Sequence, residues 1–306
     1  MPCGRASTSA WRPRSRTIEL PAASAGHSGR RRLCIITADD FGLHPAVNAA
    51  VDEAHRSGVL TATSLMVAGP AVADAARRAR ALPSLRVGLH LTLADGAAVL
   101  PRSQIPDLVD ADNRFHDNMV GAGWRFFALP RVRAQLAAEI RAQFAAFGRL
   151  GLPLDHLDAH KHFHLHPTVL SLALHIGREF GLRAVRIPAE PHLATSRLLA
   201  PWLALMRTRV RRAGMACNDQ LFGVGHSGAM DEARLLRILR DLPPGVTEVY
   251  LHPATESGAA IAPSMHGYRH RDELGALLSP AVREALAAPG IQLGSYADVT
   301  AFRARL

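Results

Sequence analysis

Cysteine is scarce in this chain, which has only Cys3, Cys34 and Cys217 among its 306 residues. No two of these cysteines have the short spacing of a zinc-binding or redox-active pair, and isolated cysteines suit a reducing compartment. Long apolar runs are also missing, since the longest one, LLAPWLALM, is far shorter than the ~20 residues that a membrane-spanning helix needs. These absences predict a cytoplasmic protein that is soluble or bound peripherally to the inner membrane surface.

Acidic residues are almost absent from the first 32 residues, where seven arginines accompany Glu19 alone. This stretch therefore carries more than half of the net charge of +10, and the mildly basic remainder does not indicate a nucleic-acid partner. The stretch is rich in Ser, Pro, Gly and Arg, and it lacks both a periodic apolar face and the apolar region of a secretory signal. We expect residues 1–32 to form a disordered basic leader, with a functional arm for anionic surfaces as the alternative.

From residue 33 onward, short β-rich runs alternate with segments of helical spacing. The predicted strands are LCIITA, TSLMV, RVGLHLTL, DHLDAH, AVRIPA, TEVYLHP and IQLGSY. Examples of the predicted helices are AVADAARRARAL, VRAQLAAEIRAQFAAFGRL and DEARLLRILRDL. Strand and helix in alternation indicate parallel strands joined by right-handed crossovers. Residues 33–306 are therefore expected to form a single α/β domain, a (β/α) barrel variant with about seven parallel strands.

Three long irregular segments follow predicted strands, the second after an intervening helical stretch, and they cover residues 93–118, 217–230 and 253–273. In parallel α/β folds the carboxyl ends of the strands carry the site, so these segments are candidate walls and lids.

Ionisable residues fall at the ends of successive predicted strands, where they would converge in space. These residues are Asp39, Asp40, His90, Asp158, His160 and His252. One carboxylate with two imidazoles is a common ligand set for Zn²⁺ or another divalent ion, and a second carboxylate beside the ion can serve as a general base. Two simpler interpretations stay open: His90 as a hydrogen-bonded core residue, and Asp40 as the cap of the following helix.

The run HKHFHLH, residues 160–166, places histidines at alternate positions, and no more than two of them need contact a metal. We expect His162 to face solvent and His166 to precede a helix, while the role of His164 is left open. The remaining histidines considered belong to no constellation and are expected in loops or on the surface: His175, His192, His226, His266 and His270.

The ordered motifs TADDFG, GLHLTL, LDAHKHFHLHP and YLHPA resemble the YdjC-like family of carbohydrate deacetylases, whose fold is a (β/α) barrel variant. The resemblance covers the chain from about residue 33 to its end. It implies metal positions at Asp40, His90 and His160, a catalytic base at Asp39 and an acid at His252. The segment NDQLFGVGHSGAM is similar to the subgroup associated with hopanoid biosynthesis.

This resemblance implies hydrolysis of an N-acetyl group on an amino sugar by metal-activated water, with an N-acetylglucosaminyl hopanoid lipid as the finer substrate. The implied cofactor is one divalent ion, Zn²⁺ or Mg²⁺, with Mn²⁺ or Co²⁺ as alternatives. The implied partner is an N-acetylated sugar or glycolipid. Two other classes remain open: another metal-dependent barrel hydrolase or isomerase acting on sugars, and a non-catalytic sugar or lipid binder. The sequence does not predict an oligomeric state.

The segment 196–213 combines leucines, a tryptophan and four arginines after its first turn. One interpretation is an outer barrel helix with a buried apolar face. The other is contact with a membrane surface, in which Trp202 and Leu203 enter the headgroup boundary.

Overall fold

The computed structural model describes residues 31–191, 193–256 and 258–306. Residues 1–30 of the expected leader lie outside the described residues, so the leader stays a prediction. The strands are β1 (Arg32–Phe41), β2 (Ala62–Leu65), β3 (Arg86–Leu91), β4 (Leu154–Ala159), β5 (Gln220–Phe222), β6 (Gly245–Leu251) and β7 (Ile291–Gly294). All of the strand pairings are parallel, as the alternating pattern predicts.

Helices fill the connections between these strands. They are α1 (Pro45–Ser57), α2 (Val72–Arg80), α3 (Met119–Ala128), α4 (Pro130–Arg149), α5 (Pro167–Glu179), α6 (Ala194–Leu198), α7 (Ala200–Arg212), α8 (Glu232–Arg240), α9 (Gly258–Ile261), α10 (His270–Leu278), α11 (Pro280–Leu286) and α12 (Val299–Arg303). Short 3₁₀ helices span His160–Leu165, Pro263–Met265 and Tyr296–Asp298. Helical spacing explains the packing of α4, which buries Val132, Leu136, Ile140 and Phe144 on one face.

β1 is the central strand of the sheet, whose order is β4-β3-β2-β1-β6-β5. One edge of β1 pairs with β6 over residues 32–38. The other edge is shared, since β7 pairs with residues 32–35 and β2 pairs with residues 37–41. All residues of β1 after Arg32 are buried, which is why the strand begins with the continuous apolar run LCIITA.

The segment 184–189 joins the two outer strands, β4 and β5, without forming a strand of its own. Val185 makes an isolated parallel bridge to Leu157 of β4, and Leu221 of β5 donates its N–H to the Ala189 carbonyl at 3.0 Å. The prediction that AVRIPA, residues 184–189, forms a strand is therefore wrong. The side chain of Asn218 takes the place of a neighbouring strand, because it both accepts from the N–H of Ile187 and donates to its carbonyl.

The described part of the chain nevertheless contains seven strands, because β5 lies inside the predicted irregular segment 217–230. This strand is only three residues long and is defined by its pairing with β6. With these two changes, the expected (β/α) barrel variant in one α/β domain is confirmed.

The helix α7 packs against the domain through one apolar face. Leu203, Met206 and Val210 are buried, and the half-buried Trp202 donates its indole N–H to the Leu165 carbonyl at 2.8 Å. Leu203 therefore belongs to the core and cannot enter a membrane. None of the described helices is both long and apolar enough to cross a bilayer.

Candidate metal centre and active site

The adjacent aspartates Asp39 and Asp40 end β1 at a sharp turn. Asp40 has a φ of 64°, and Gly42 has a φ of 91°, a left-handed value that glycine adopts without steric cost. The Asp40 carbonyl accepts the N–H of Leu43 at 3.0 Å, and the side chain of Asn48 accepts the N–H of Gly42 at 2.8 Å. The residue that caps α1 is His44, so Asp40 does not cap this helix and its carboxylate is left for another role.

Three of the predicted residues bring one ligand atom each to a common point. Oδ1 of Asp40 lies 3.0 Å from Nδ1 of His160 and 3.2 Å from Nε2 of His90, and the two nitrogens are 3.3 Å apart. All three side chains are buried. These residues come from β1, β3 and the end of β4, which confirms that the strand ends converge.

The spacing of these atoms fits a divalent ion. A ligand shell about 2.1 Å in radius separates neighbouring ligand atoms by about 3.0 Å in an octahedron and about 3.4 Å in a tetrahedron. The three observed separations, 3.0, 3.2 and 3.3 Å, fall within these bounds. The second oxygen of Asp40, Oδ2, is buried and has no hydrogen-bond partner among the residues that the structure describes. An uncompensated buried carboxylate oxygen is costly, and a cation beside it removes that cost.

His90 is oriented by partners on its other nitrogen. Nδ1 lies 3.0 Å from Oδ1 of Asp158 and 2.9 Å from Oγ of Ser64. A metal-binding histidine commonly bonds a carboxylate in this way, which fixes the ring and directs the other nitrogen at the ion. Asp158 was predicted among the convergent residues, and the structure places it behind His90, away from the three ligand atoms.

The second aspartate of the pair, Asp39, is held by a residue that the sequence analysis did not single out. Both of its oxygens accept from the Arg186 guanidinium, at 2.7 and 2.8 Å. The same guanidinium contacts Asp158 at 2.6 Å and donates to Glu248 at 2.9 and 3.0 Å. Arg186 is completely buried. The available signal was the charge itself, because an arginine inside the apolar run AVRIPA has to meet carboxylates.

Buried carboxylates outnumber the one buried arginine at this site. Three carboxylates, those of Asp39, Asp158 and Glu248, contact the single guanidinium of Arg186, and the carboxylate of Asp40 lies beside His90 and His160. Burial by itself raises the pKa of Asp40, but the neighbouring His160 and His90 hold it well below the ordinary value. Burial likewise opposes a charged His90, yet Asp158 and Asp40 raise the pKa of this ring well above its usual range. The site therefore favours positive charge between Asp40 and His90, where the metal is expected.

Comparison with known proteins identifies the family. A family model described as YdjC-like protein matches residues 33–288. The chain belongs to the YdjC-like family. A relative from Brevibacillus brevis named carbohydrate deacetylase is 28% identical over 269 residues, covering 87% of this chain and 98% of the relative. A relative from Serratia marcescens named chitooligosaccharide deacetylase is 31% identical over 278 residues, covering 88% and 99%.

A solved structure has a similar fold. It is a crystal structure from Enterococcus faecalis, of a protein named for cellobiose-phosphate cleavage, with 29% identity and a TM-score of 0.71. The match covers 88% of this chain and 99% of that one. The predicted family is confirmed, and with it the prediction of an enzyme of the carbohydrate-deacetylase class.

His252 of this YdjC-like protein follows β6 and lies close to Asp40. Its Nε2 lies 3.9 Å from Oδ2 of Asp40. Burial lowers the pKa of His252, although Asp40 and Asp39 favour its charged form. The backbone of His252 is fixed by two residues of α10: its N–H is accepted by Glu273, and its carbonyl contacts Nδ1 of His270.

The turn that carries His160 has an unusual backbone. Lys161 and His162 both have a φ of 53°, so His160 and His164 do not share a helical face. The expectation that His162 faces solvent is wrong, because this half-buried ring lines the cavity and its Nε2 lies 3.1 Å from the Tyr250 hydroxyl. His164 bonds the carbonyl of Arg186 at 2.9 Å, so it supports the backbone of the arginine.

The other histidines follow the prediction with one exception. His175, His226 and His266 are exposed, and His166 immediately precedes α5, as expected. His192 lies outside the described residues. His270 was predicted to be a loop or surface residue but is buried, because its ring bonds the His252 carbonyl.

A cavity of about 210 Å³ opens onto the predicted residues of the YdjC-like protein. Its walls include Asp39, His90, His160 and His252. The long irregular segments contribute Val224, Ser227, Ser264, Met265 and Tyr268. A larger cleft of about 650 Å³ lies at the amino ends of β3 and β4, near Arg86 and Leu154, and does not include the predicted residues. Ligand chemistry therefore places the candidate active site in the smaller cavity.

Proposed function

We propose that this protein removes the acetyl group from an N-acetylated amino sugar in a metal-dependent reaction. The observation that carries the proposal is the convergence of Asp40, His90 and His160 within 3.3 Å, with the carboxylate of Asp39 on the same cavity. The three convergent residues would hold the ion. When bound, a divalent ion supplies a Lewis acid that polarises a carbonyl and lowers the pKa of water.

Asp39 acts as the general base in this proposal. Arg186 and Ser64 fix its two oxygens, so the carboxylate is held in one orientation and takes the proton of the attacking water. His252 protonates the departing amine nitrogen. Water loses one proton to Asp39 while the amine gains one from His252, so transfer between the two groups closes the cycle without a covalent intermediate.

The substrate that we propose more narrowly is an N-acetylglucosaminyl hopanoid lipid. Support comes from the segment 217–230, which carries the resemblance to the hopanoid-associated subgroup and contributes Val224 and Ser227 to the cavity wall. A glycolipid substrate would require the cytoplasmic enzyme to work at the inner membrane surface, for which residues 196–213 were the expected contact. Within this segment only Leu198, Leu199 and Leu205 are large apolar residues with substantial exposure.

Mass spectrometry can test both levels of the proposal. The metal-loaded protein is incubated separately with an N-acetylated chitooligosaccharide and with N-acetylglucosaminyl hopanoid in detergent micelles, with Asp39→Asn as the inactive control. We expect loss of one acetyl group from the lipid, with kcat/KM at least roughly tenfold above that for the oligosaccharide. Turnover of the oligosaccharide alone would refute the lipid substrate, and no turnover of any N-acetyl sugar would refute the deacetylase.

A further inference from the structure

The helix α3 turns an apolar face outward. Val120, Trp124 and Phe127 are 87%, 66% and 63% exposed, and their i, i+4, i+7 spacing places them on one side of the helix. A helix on the surface of a globular domain normally presents polar residues to water. The only charged residue within α3 is Arg125. The exposed face of α3 is thus suited to an apolar partner.

A second exposed apolar group lies on α6 and α7. Leu198 is 81% exposed and Leu205 is 47% exposed, whereas Leu203 and Met206 of α7 are buried. The two groups together, Val120, Trp124, Phe127, Leu198 and Leu205, are called the helix surface below.

Both parts of the helix surface belong to helices that pack against the turn carrying His160. The Phe126 ring of α3 lies 5.4 Å from the Phe163 ring of that turn. From α7, Trp202 donates its indole N–H to the Leu165 carbonyl of the same turn at 2.8 Å. The turn also supplies Lys161 to the cavity wall. The helix surface therefore borders one wall of the candidate active site.

The charge around the helix surface is predominantly positive, although Asp107 pairs with Arg131 and Asp219 pairs with Arg211. Residues 119–138 and 191–213 contain no aspartate or glutamate. They contain eight arginines: Arg125, Arg131, Arg133, Arg197, Arg207, Arg209, Arg211 and Arg212. A symmetric contact between two copies would bring these like charges together, and Asp107 and Asp219 offset only part of them. Aromatic and aliphatic side chains framed by arginines match the boundary of an anionic bilayer.

We propose that the helix surface docks this enzyme on an anionic lipid bilayer. Trp124 and Phe127 enter the headgroup boundary together with Leu198, and the arginines meet anionic headgroups. The turn with His160 then faces the membrane, where the sugar of a membrane-anchored substrate can reach the cavity. The purpose of the docking rests on the proposed glycolipid substrate, whereas the docking itself does not.

Sedimentation with lipid vesicles tests the docking. The full chain is mixed with phosphatidylcholine vesicles that contain or lack phosphatidylglycerol, at low and at high salt. We expect binding to the anionic vesicles that weakens with salt, and a loss of roughly 30-fold in the partition coefficient of Trp124→Ser/Phe127→Ser. The matched control is Leu293→Ser/Leu306→Ser, which removes two exposed apolar residues outside the helix surface and should bind like the wild type. Both variants should keep their thermal stability and their activity on a soluble N-acetyl sugar.

Several results would overturn the docking. These are a wild-type protein that ignores anionic vesicles, a Trp124→Ser/Phe127→Ser variant that binds as well as wild type, and a wild-type dimer that this variant converts to monomers. Deacetylation of the micellar glycolipid without vesicle binding would refute the docking and leave the substrate. Vesicle binding without deacetylation of the glycolipid would refute the glycolipid substrate and leave the docking.

Discussion

Replacing Arg186 by lysine should destabilise the fold strongly although the charge is kept. The guanidinium makes five short contacts: two to Asp39, two to Glu248 and one to Asp158. An ammonium group has only three N–H donors, so at least two of these contacts are lost. Each charge-assisted bond contributes about 1.5–3 kcal/mol, which predicts a loss of about 3–6 kcal/mol. This is a large part of the ~5–15 kcal/mol by which a domain is usually stable.

Urea unfolding followed by circular dichroism measures this loss. The matched control is Arg141→Lys, because Arg141 also makes a bidentate ion pair, in this case with Glu179. The side chains of Arg141 and Glu179 are each 47% exposed. The control should lose no more than about 0.5 kcal/mol. Equal losses in the two variants would refute the reasoning, since burial of the arginine would then not decide its contribution.

Four further outcomes are expected at the site. Asp39→Asn should lower turnover at least ~10²-fold while metal analysis shows unchanged metal content, because the amide cannot accept a proton; loss of metal in this variant would assign Asp39 to the ligands. His90→Ala/His160→Ala should remove the metal, and stoichiometric metal in this double variant would contradict the proposed centre. His252→Ala should slow amide hydrolysis ~10²-fold but spare an aryl acetate, whose leaving group needs no proton; equal losses on both substrates would argue against an acid role. Burial raises the pKa of Glu273 to about 7, above its unfolded value of about 4.3. The protonated side chain therefore stabilises the fold in full below pH ~4.3, and this stabilisation is lost as the pH rises to about 7. Glutamine loses one of the two backbone N–H bonds that the Glu273 oxygens accept, but it does not titrate. The stability of Glu273→Gln relative to wild type should therefore rise by about 3 kcal/mol between pH 4 and pH 8 in urea unfolding, and a constant difference would exclude this titration.

The convergence of the predicted residues was accessible from the sequence because it depends on topology. Parallel strands bring their carboxyl ends to one side, so Asp40 near the end of β1, His90 in β3 and His160 after β4 could be placed together without knowing any side-chain contact. The segments 217–230 and 253–273 could be assigned to the walls for the same reason, whereas the segment 93–118 contributes no residue to this cavity. The divalent-ion prediction needed only the types of the residues.

The arginine network was not accessible in the same way. Arg186 and Glu248 each appear as a single charge within an apolar run, which signals a buried partner but does not say which one. Their pairing depends on how the segment 184–189 sits between β4 and β5. That segment could not be told from a strand, because the interruption comes from the side chain of Asn218, which lies about 30 residues further along the chain.

The short strand β5 and the buried His270 were missed for a related reason. Three residues cannot show a period of two, and β5 exists only because β6 offers it an edge. Nothing in the sequence near His270 reveals that its ring reaches the carbonyl of His252.

The position of β1 at the centre of the sheet has a consequence for synthesis in the cell. Its partners β6 and β7 follow it by more than 200 residues, with β7 ending about 250 residues after Phe41. At ~5–20 residues per second a ribosome needs about 10 to 50 s to complete that stretch. For about four fifths of this interval, until β6 has been synthesised, the edge of β1 that later meets β6 has no partner strand and can pair with another nascent chain. We therefore expect chaperone capacity during translation, more than the stability of the finished enzyme, to limit how much of it a cell can accumulate in soluble form.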